Sequence, residues 1–303
     1  MARNLTNLTA SVHQCLLNKA KETSRPFNEL LQRFATERFL YRLSKSSHAD
    51  RFVLKGAAML SIWSGPATRP TMDIDLLGRM DNSPEVILAA MKDACGVRVD
   101  ADGMFFDAET AAAARISETA MYEGVRVRLR GNLGNARVTL QIDIGFGDVI
   151  VPRPKMVVYP ALLDFPPPQL NGYTMESTIA EKFQAMVKLG VLNSRMKDFC
   201  DIWMLSHAFD FRGELLAKAI AKTFENRNTP ITPTPAFFDP TFAKDGDKRT
   251  QWQGFTKKIG LAEAPEAFED VIAAIKVFLE PIAVALVEER AFHGTWTAPG
   301  PWR

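Results

Sequence analysis

The sequence predicts an α+β protein: a mixed sheet with flanking helices in the first half, and helices alone in the second. Three patterns carry that expectation. Apolar and polar residues alternate across 71–77, and again across Tyr122–Leu133 and Arg137–Ile144, the period-two signature of half-buried strands. The strand-rich part runs into a proline-rich stretch from Val149 to Pro168, where Phe165-Pro-Pro-Pro168 is a stiff connector. Beyond it the apolar spacing is helical over 175–190, 194–208, 212–227 and 265–290. Mixed elements followed by helices alone indicate an N-terminal core domain at 1–165 and a helical C-terminal domain at 166–303.

In order, residues 4–22 and 26–45 read as helices, the second with Phe27, Leu30, Leu31, Phe34, Phe39 and Leu43 at helical spacing and Pro26 at its start. This region is basic, and its Arg33, Arg38, Arg42 and Lys45 are either a solvated helix face or a surface for polyphosphate or RNA. Residues 52–64 read as a short strand, a turn at Gly56 and a helix ended by Gly65-Pro66. A strand at 71–77, a helix at 84–94 and short strands between Val97 and Phe106 follow. Turn residues from Gly131 to Asn135 then join the two alternating runs into a hairpin. Asn228–Asp247, with four prolines, reads as a long ordered loop, and the tail from Trp296 as irregular.

Composition narrows the classes. A chain of 303 residues with 47% hydrophobic and 24% charged content is that of a globular protein with a sizeable core. A net charge of +2 gives no global field for nucleic acid, so local patches must carry any such role. Cys15, Cys95 and Cys200 fit neither a disulfide framework nor a zinc site and point to a reducing compartment. The N-terminus lacks the apolar core of a signal peptide, and no run is long enough for a membrane span, so the expected setting is cytoplasmic.

The chemistry concentrates in Arg69-Pro-Thr-Met-Asp-Ile-Asp-Leu-Leu-Gly78. Asp73 and Asp75, two apart on a strand, point to one face with α-carbons about 6.5–7 Å apart. Such a pair suits a hard cation such as Mg²⁺, although a strand edge kept soluble by two aspartates carries the same pattern. Asp143, near the end of the second hairpin strand, is a third carboxylate; three carboxylates on adjacent strands can hold two Mg²⁺ ions about 3.5–4 Å apart for in-line phosphoryl displacement. Gly56 opens a helix whose N-terminus suits phosphate. Lys182 lies on the shoulder of its helix's apolar stripe, where it either snorkels or reaches into a cleft to meet a phosphate. Asp198 is placed to orient Lys182 or Arg195, or is an ordinary helix N-terminal charge. Arg126, Arg128 and Arg130 alternate on one strand face and are candidates to line an acceptor groove.

Four segments in order, Phe52-Val-Leu-Lys-Gly-Ala-Ala-Met-Leu60, Arg69-Pro-Thr-Met-Asp-Ile-Asp-Leu-Leu77, Ile179-Ala-Glu-Lys-Phe-Gln-Ala-Met186 and Arg195-Met-Lys-Asp-Phe-Cys-Asp-Ile202, resemble the motifs of the AbiEii/AbiGii toxin nucleotidyltransferases, which include the MenT-type toxins. The resemblance implies a polymerase-β-like nucleotidyltransferase fold with a helical C-terminal part completing an active-site cleft. It implies Mg²⁺, a nucleoside triphosphate, and a partner antitoxin. For MenT-like relatives it further implies transfer of pyrimidine nucleotides, CTP among the donors, to the tRNA 3′ end. Carried onto this chain, Asp73 and Asp75 fall on the metal-binding pair, Lys182 on the catalytic lysine and Asp198 on the acid of the Arg-x-x-Lys-Asp motif. Asp143 matches the superfamily's third carboxylate, and Lys55, Gly56, Ala57, Lys182 and Arg195 are the candidate nucleotide contacts. Thr71 matches a position phosphorylated by kinase-type antitoxins. Gly56-Ala57 departs from the usual Gly-Ser or Gly-Gly pair, Cys200 stands where a tyrosine is frequent before Asp201, and the motifs leave open whether Asp201 belongs to the site. Transfer to a protein or small-molecule hydroxyl, and a nucleotide-binding regulatory module without turnover, are the competing readings.

Overall fold

The computed structural model describes residues 5–65, 72–119, 122–260 and 264–303. They fall into two compact units, Met1–Gly147 with Lys155–Gly172, and Asp148–Pro154 with Tyr173–Arg303. The sequence suggests one crossing at 165, whereas the segment after Pro154 returns to the first unit, because Lys155–Val158 and Gln169–Gly172 pair as strands at its sheet edge.

In the first unit, helices α1 (Leu5–Thr23) and α2 (Phe27–Lys45) precede β1 (Phe52–Lys55), α3 (Ala57–Ser64), β2 (Asp73–Gly78) and α4 (Pro84–Gly96). Then come β3 (Met104–Thr119), β4 (Tyr122–Leu133), β5 (Ala136–Phe146), β6 (Lys155–Val158) and β7 (Gln169–Gly172). The seven strands form one mixed sheet in the order β3-β4-β5-β2-β1-β7-β6. The hairpin β4–β5 is antiparallel, β2 runs parallel to β5, and β1 runs antiparallel to β2. Alternation does its expected work: Val125, Val127, Leu129, Leu140, Ile142, Ile144, Ile74 and Leu76 are buried, and the intervening polar residues take the opposite face.

Residues 97–103 form no strand; β3 instead runs sixteen residues, through an alanine-rich stretch of helical composition, with a register break between Asp107 and Ala112. Pairing along the whole of β4 overrides local propensity there. Arg38 and Arg42 of α2 form neither a solvated face nor a phosphate surface. Arg42 forks onto Asp102 at 2.7 and 3.0 Å and donates to the Met104 carbonyl at 3.1 Å. Arg38 donates to Glu37 at 2.6 Å and to the Pro166 carbonyl at 2.7 Å, and the other Glu37 oxygen accepts from the Leu162 amide at 2.7 Å. Burial pushes the Glu37 carboxyl above the usual carboxylate range, with Arg38 opposing it. These side chains fasten α2 to the sheet and to the returning segment. Gln32 adds amide contacts to the carbonyls of Met72 at 3.2 Å and Thr139 at 3.3 Å.

The second unit holds α5 (Met175–Leu189), α6 (Met196–Ala208), β8 (Phe211–Arg212), α7 (Gly213–Asn226), α8 (Pro240–Lys244), α9 (Gly246–Ile259), α10 (Phe268–Val287) and β9 (Thr295–Trp296). Its core is aromatic: Phe183, Phe199, Phe224, Phe237, Phe268 and Trp252 are all fully buried, with Phe199 meeting Phe237, Phe242 and Phe268 edge-on or tilted. The proline-rich 228–247 segment is partly helical, and α9, capped by Asp245 through the amides of Asp247 and Lys248, is an element the apolar spacing does not announce. The tail is ordered too, since β9 pairs with β8 and Trp296 is buried and donates to the Ser206 carbonyl at 2.7 Å. Among the described residues no helix is long and apolar enough to cross a membrane.

Asp102→Ala leaves the Arg42 guanidinium buried without its carboxylate. Urea unfolding should show a loss of about 3–5 kcal/mol; an unchanged midpoint would mean the pair does not anchor α2.

Candidate active site

The polar face of the first unit's sheet carries the acidic candidates in register. Asp75 of β2 lies level with Asp143 of β5 and with Lys55 of β1, and Asp143 lies level with Arg126 of β4. One transverse row therefore reads Lys55, Asp75, Asp143, Arg126: two like charges at the centre, a cation at each end. Adjacent strands are about 4.8 Å apart, so the two carboxylates would repel if left alone. Arg126 answers on one side with a two-pronged ion pair, Nε and Nη2 each donating to an Asp143 oxygen at 2.7 Å. The next row holds Asp73, Gln141 and Arg128, and both Nε and Nη2 of Arg128 donate to the Gln141 amide oxygen, at 3.1 and 2.9 Å.

Gly56 explains itself by proximity. Its φ of +68° is left-handed, and a Cβ built there would lie 2.0 Å from Asp75 Oδ2. Any side chain would expel the carboxylate, so glycine lets Asp75 pack beside the residue that caps α3. The carboxylate thus sits near a helix N-terminus, where the dipole favours negative charge. Ala57 follows as the first helical residue and is buried.

In the second unit, Lys182 of α5 is held by two acids from α6. Its Nζ lies 2.8 Å from Asp198 Oδ1 and 2.7 Å from Asp201 Oδ2. Arg195, capping α6, reaches the other Asp198 oxygen at 2.8 Å. Asp198 and Asp201 are 1% and 0% exposed, so two desolvated carboxylates are balanced by the largely buried Lys182 and by Arg195 at the cluster's exposed side. The helical spacing places Asp198 and Asp201 one turn apart on the same side of α6. Asn193 shapes the approach: its side-chain oxygen accepts from the Arg195 amide at 2.8 Å, and its carbonyl from Lys248 at 2.8 Å. A neighbouring cluster locks α5 further, with Arg227 contacting Asp148 at 2.7 Å, Gln184 at 2.9 Å and Glu181 at 3.3 Å. The Tyr173 hydroxyl donates to Glu181 at 2.8 Å, and burial together with Glu181 and Asp148 pushes its ionisation well above the usual tyrosine range.

Lys55, Gly56, Asp73, Asp75 and Asp143 accordingly share one region of the first unit, and Lys182, Arg195 and Asp198 share one region of the second. Thr71 lies outside the described residues. Sequence reasoning left Asp201 undecided and did not pair Arg126 with Asp143; the i, i+3 spacing of Asp198 and Asp201, and the alternation of Arg126 against Asp143 across the hairpin, were the signals available.

The oxygen donors suit a hard divalent cation. Among the described residues no group of three or more His, Cys, Asp and Glu side chains is placed to share an ion, and Asp143 is engaged on both oxygens by Arg126. Mg²⁺ commonly rests on one or two carboxylates together with substrate phosphates, and Asp73 with Asp75 supplies that minimum.

Residues 38–274 match the family described as nucleotidyl transferase AbiEii toxin, type IV toxin–antitoxin system. Among solved structures, the chain is similar to MenT4, a nucleotidyltransferase toxin from Mycobacterium tuberculosis H37Rv, at 16% identity and a TM-score of 0.51, over 93% of this chain and 99% of that one. The JHP933 protein from Helicobacter pylori is similar at 15% identity and a TM-score of 0.46, over 83% of this chain and 90% of that one. At 16% identity the likeness to MenT4 concerns the fold alone. A comparison with curated proteins gives no match.

Lys182→Met removes the cation between two buried carboxylates. Chemical unfolding should show a loss of about 3–5 kcal/mol, largely restored when Asp201→Asn is added. An unaltered midpoint in the single variant would contradict the clamp.

Proposed function

The chain belongs to the AbiEii family of nucleotidyltransferase toxins, and from that premise we propose that it transfers a nucleoside monophosphate from a triphosphate to an RNA hydroxyl, the tRNA 3′ end foremost. Membership in a toxin–antitoxin family brings with it a triphosphate substrate and a cognate antitoxin. The observation that carries the chemistry is the Asp73–Asp75 pair on one face of β2, with Asp75 seated against Gly56 at the start of α3.

Asp73 and Asp75 are the residues that would hold Mg²⁺, which when bound supplies charge neutralisation at the transferring phosphate and lowers the pKa of a coordinated hydroxyl. Lys55, level with Asp75, brings a cation to the same row. The α3 N-terminus with Gly56 and Ala57 offers main-chain N–H groups to phosphate oxygens. Lys182 is the triphosphate-binding cation of the second unit, and Asp198 and Asp201 fix its Nζ, a positioning role in which the stem loses its rotamer freedom on folding rather than on binding. Arg195 adds a second cation beside Lys182 through the other Asp198 oxygen. Asp143 holds Arg126 in place through the fork.

In the reaction the acceptor hydroxyl oxygen forms a bond to the α-phosphorus while the bond from that phosphorus to its bridging oxygen breaks. Pyrophosphate leaves, and the hydroxyl proton passes to a carboxylate of the Asp73–Asp75 pair. Catalysis of this kind is positioning and charge stabilisation rather than covalent chemistry by the protein. A pyrimidine donor such as CTP and a cytoplasmic setting complete the reading.

Incubation with each labelled triphosphate, Mg²⁺ and total tRNA tests it directly. Label should appear in RNA, and Asp73→Ala should abolish it with the circular dichroism spectrum unchanged. Label on protein or small molecules would replace the RNA acceptor, and triphosphate binding without transfer would support a regulatory module instead.

A further inference from the structure

The polar face of the β4–β5 hairpin has an order that the carboxylate pair does not account for. Its four successive rows are Arg126 with Asp143, Arg128 with Gln141, Arg130 with Thr139, and Asn132 with Arg137. Each row carries one arginine. At about 6.8 Å per two residues the series spans about 20 Å. It begins level with Asp75 and Asp73 and continues past the start of β2 toward the Gly134–Asn135 turn.

Three of the four guanidinium groups are available to a partner. Arg128, Arg130 and Arg137 are exposed. Arg128 leans on a neutral amide, and among the described residues no carboxylate forms an ion pair with Arg128, Arg130 or Arg137. Asp107 lies across from Arg130, and one of its oxygens accepts from the Glu109 amide at 3.1 Å in the register break of β3. Beside the arginines on β3 stand Ala112 and Ala114, both exposed and too short to cover them. Between the charges on β4 and β5 lie Gln141, Thr139 and Asn132, and on β3 the last row carries Phe105, exposed and opposite Asn132. Along the Arg128 and Arg130 rows that composition offers phosphate oxygens evenly spaced, fork-shaped donors and no ring for a base, while Phe105 on the last row offers a sequence-tolerant stacking face.

We propose that Arg128, Arg130 and Arg137 form a track for the sugar–phosphate backbone of the acceptor RNA, leading its reacting end to the rows of Asp73 and Asp75. The proposal rests on the RNA-acceptor reading for the identity of the occupant; the track itself stands on register and exposure. Recognition along it is by charge and is independent of base sequence. Arg126, tied to Asp143, is the end of the track nearest the carboxylate pair.

The test compares wild type with the triple variants Arg128→Gln/Arg130→Gln/Arg137→Gln and Arg128→Lys/Arg130→Lys/Arg137→Lys. Binding of a fluorescein-labelled single-stranded RNA is followed by anisotropy over a salt series, with circular dichroism confirming the fold of each variant. The glutamine variant should bind roughly 100-fold more weakly at about 0.1 M salt, with a log–log salt slope lower by about 2, or ~0.7 per lost arginine. The lysine variant should keep most of the affinity. Wild-type affinity and slope in the glutamine variant would overturn the track, as would displacement of the RNA by polyglutamate as effective as by polyuridylate, which would assign the strip to an acidic protein. Labelled transfer separates the two readings. Transfer to RNA with an unchanged RNA KM in the glutamine variant refutes the track and leaves the activity standing. Arginine-dependent RNA binding with no transfer to any RNA refutes the activity and leaves the track.

Discussion

Asp75 and Asp143, side by side on parallel neighbouring strands, are the constraint on which the first unit depends. Two carboxylates one strand apart and partly buried are an unfavourable arrangement unless the surroundings supply positive charge. The fold supplies it three times over: Lys55 on one flank, the Arg126 fork on the other, and the α3 N-terminus brought close by a glycine that leaves no room for a Cβ. Each of these elements has a second consequence. The Arg126 fork engages both oxygens of Asp143, and Asp73 and Asp75 are the pair proposed for a hard cation. Gly56 in a left-handed conformation ends β1 and starts α3 in a single residue. Arg126 also opens a row of arginines that runs on along β4.

The second unit solves the mirror problem. A lysine brought near the apolar core of a helical bundle loses hydration, and here two acids from the next helix compensate it. The balance is local: Arg195 answers the second oxygen of Asp198, and the Arg227 cluster holds α5 from the other direction through Asp148, Gln184 and Glu181. Held this way, the Lys182 ammonium has a fixed position, which a flexible four-carbon stem alone would not give.

Much of this was legible in the sequence where periodicity and chemistry coincide. The hairpin strands announce themselves because apolar residues alternate with arginines, and α2, α5, α6 and α10 because their apolar stripes are regular. Asp73, Asp75, Lys182 and Asp198 stand out as polar residues in otherwise apolar patterns. What escaped was set by tertiary contacts. Strand β3 runs through alanines that would suit a helix, and only its pairing along β4 makes it a strand. The arginines of α2 look like a solvated face because the acid that neutralises Arg42 lies sixty residues away, at Asp102. Helix α9 is polar on most faces and buries little beyond Trp252 and Lys248, so its apolar spacing is weak. The Arg126–Asp143 pair depends on hairpin register, which turn residues suggest but alternation alone does not fix.

Mn²⁺, a paramagnetic stand-in for Mg²⁺, can be titrated into the protein in the presence of a non-hydrolysable triphosphate analogue and its bound fraction read by electron paramagnetic resonance. Asp75→Asn should lose the tight site, while Asp143→Asn, which frees Arg126 without removing a ligand, should retain binding within about threefold of wild type, a difference of under ~1 kcal/mol. Loss of the site in Asp143→Asn as complete as in Asp75→Asn would contradict the account and return Asp143 to the ligand set.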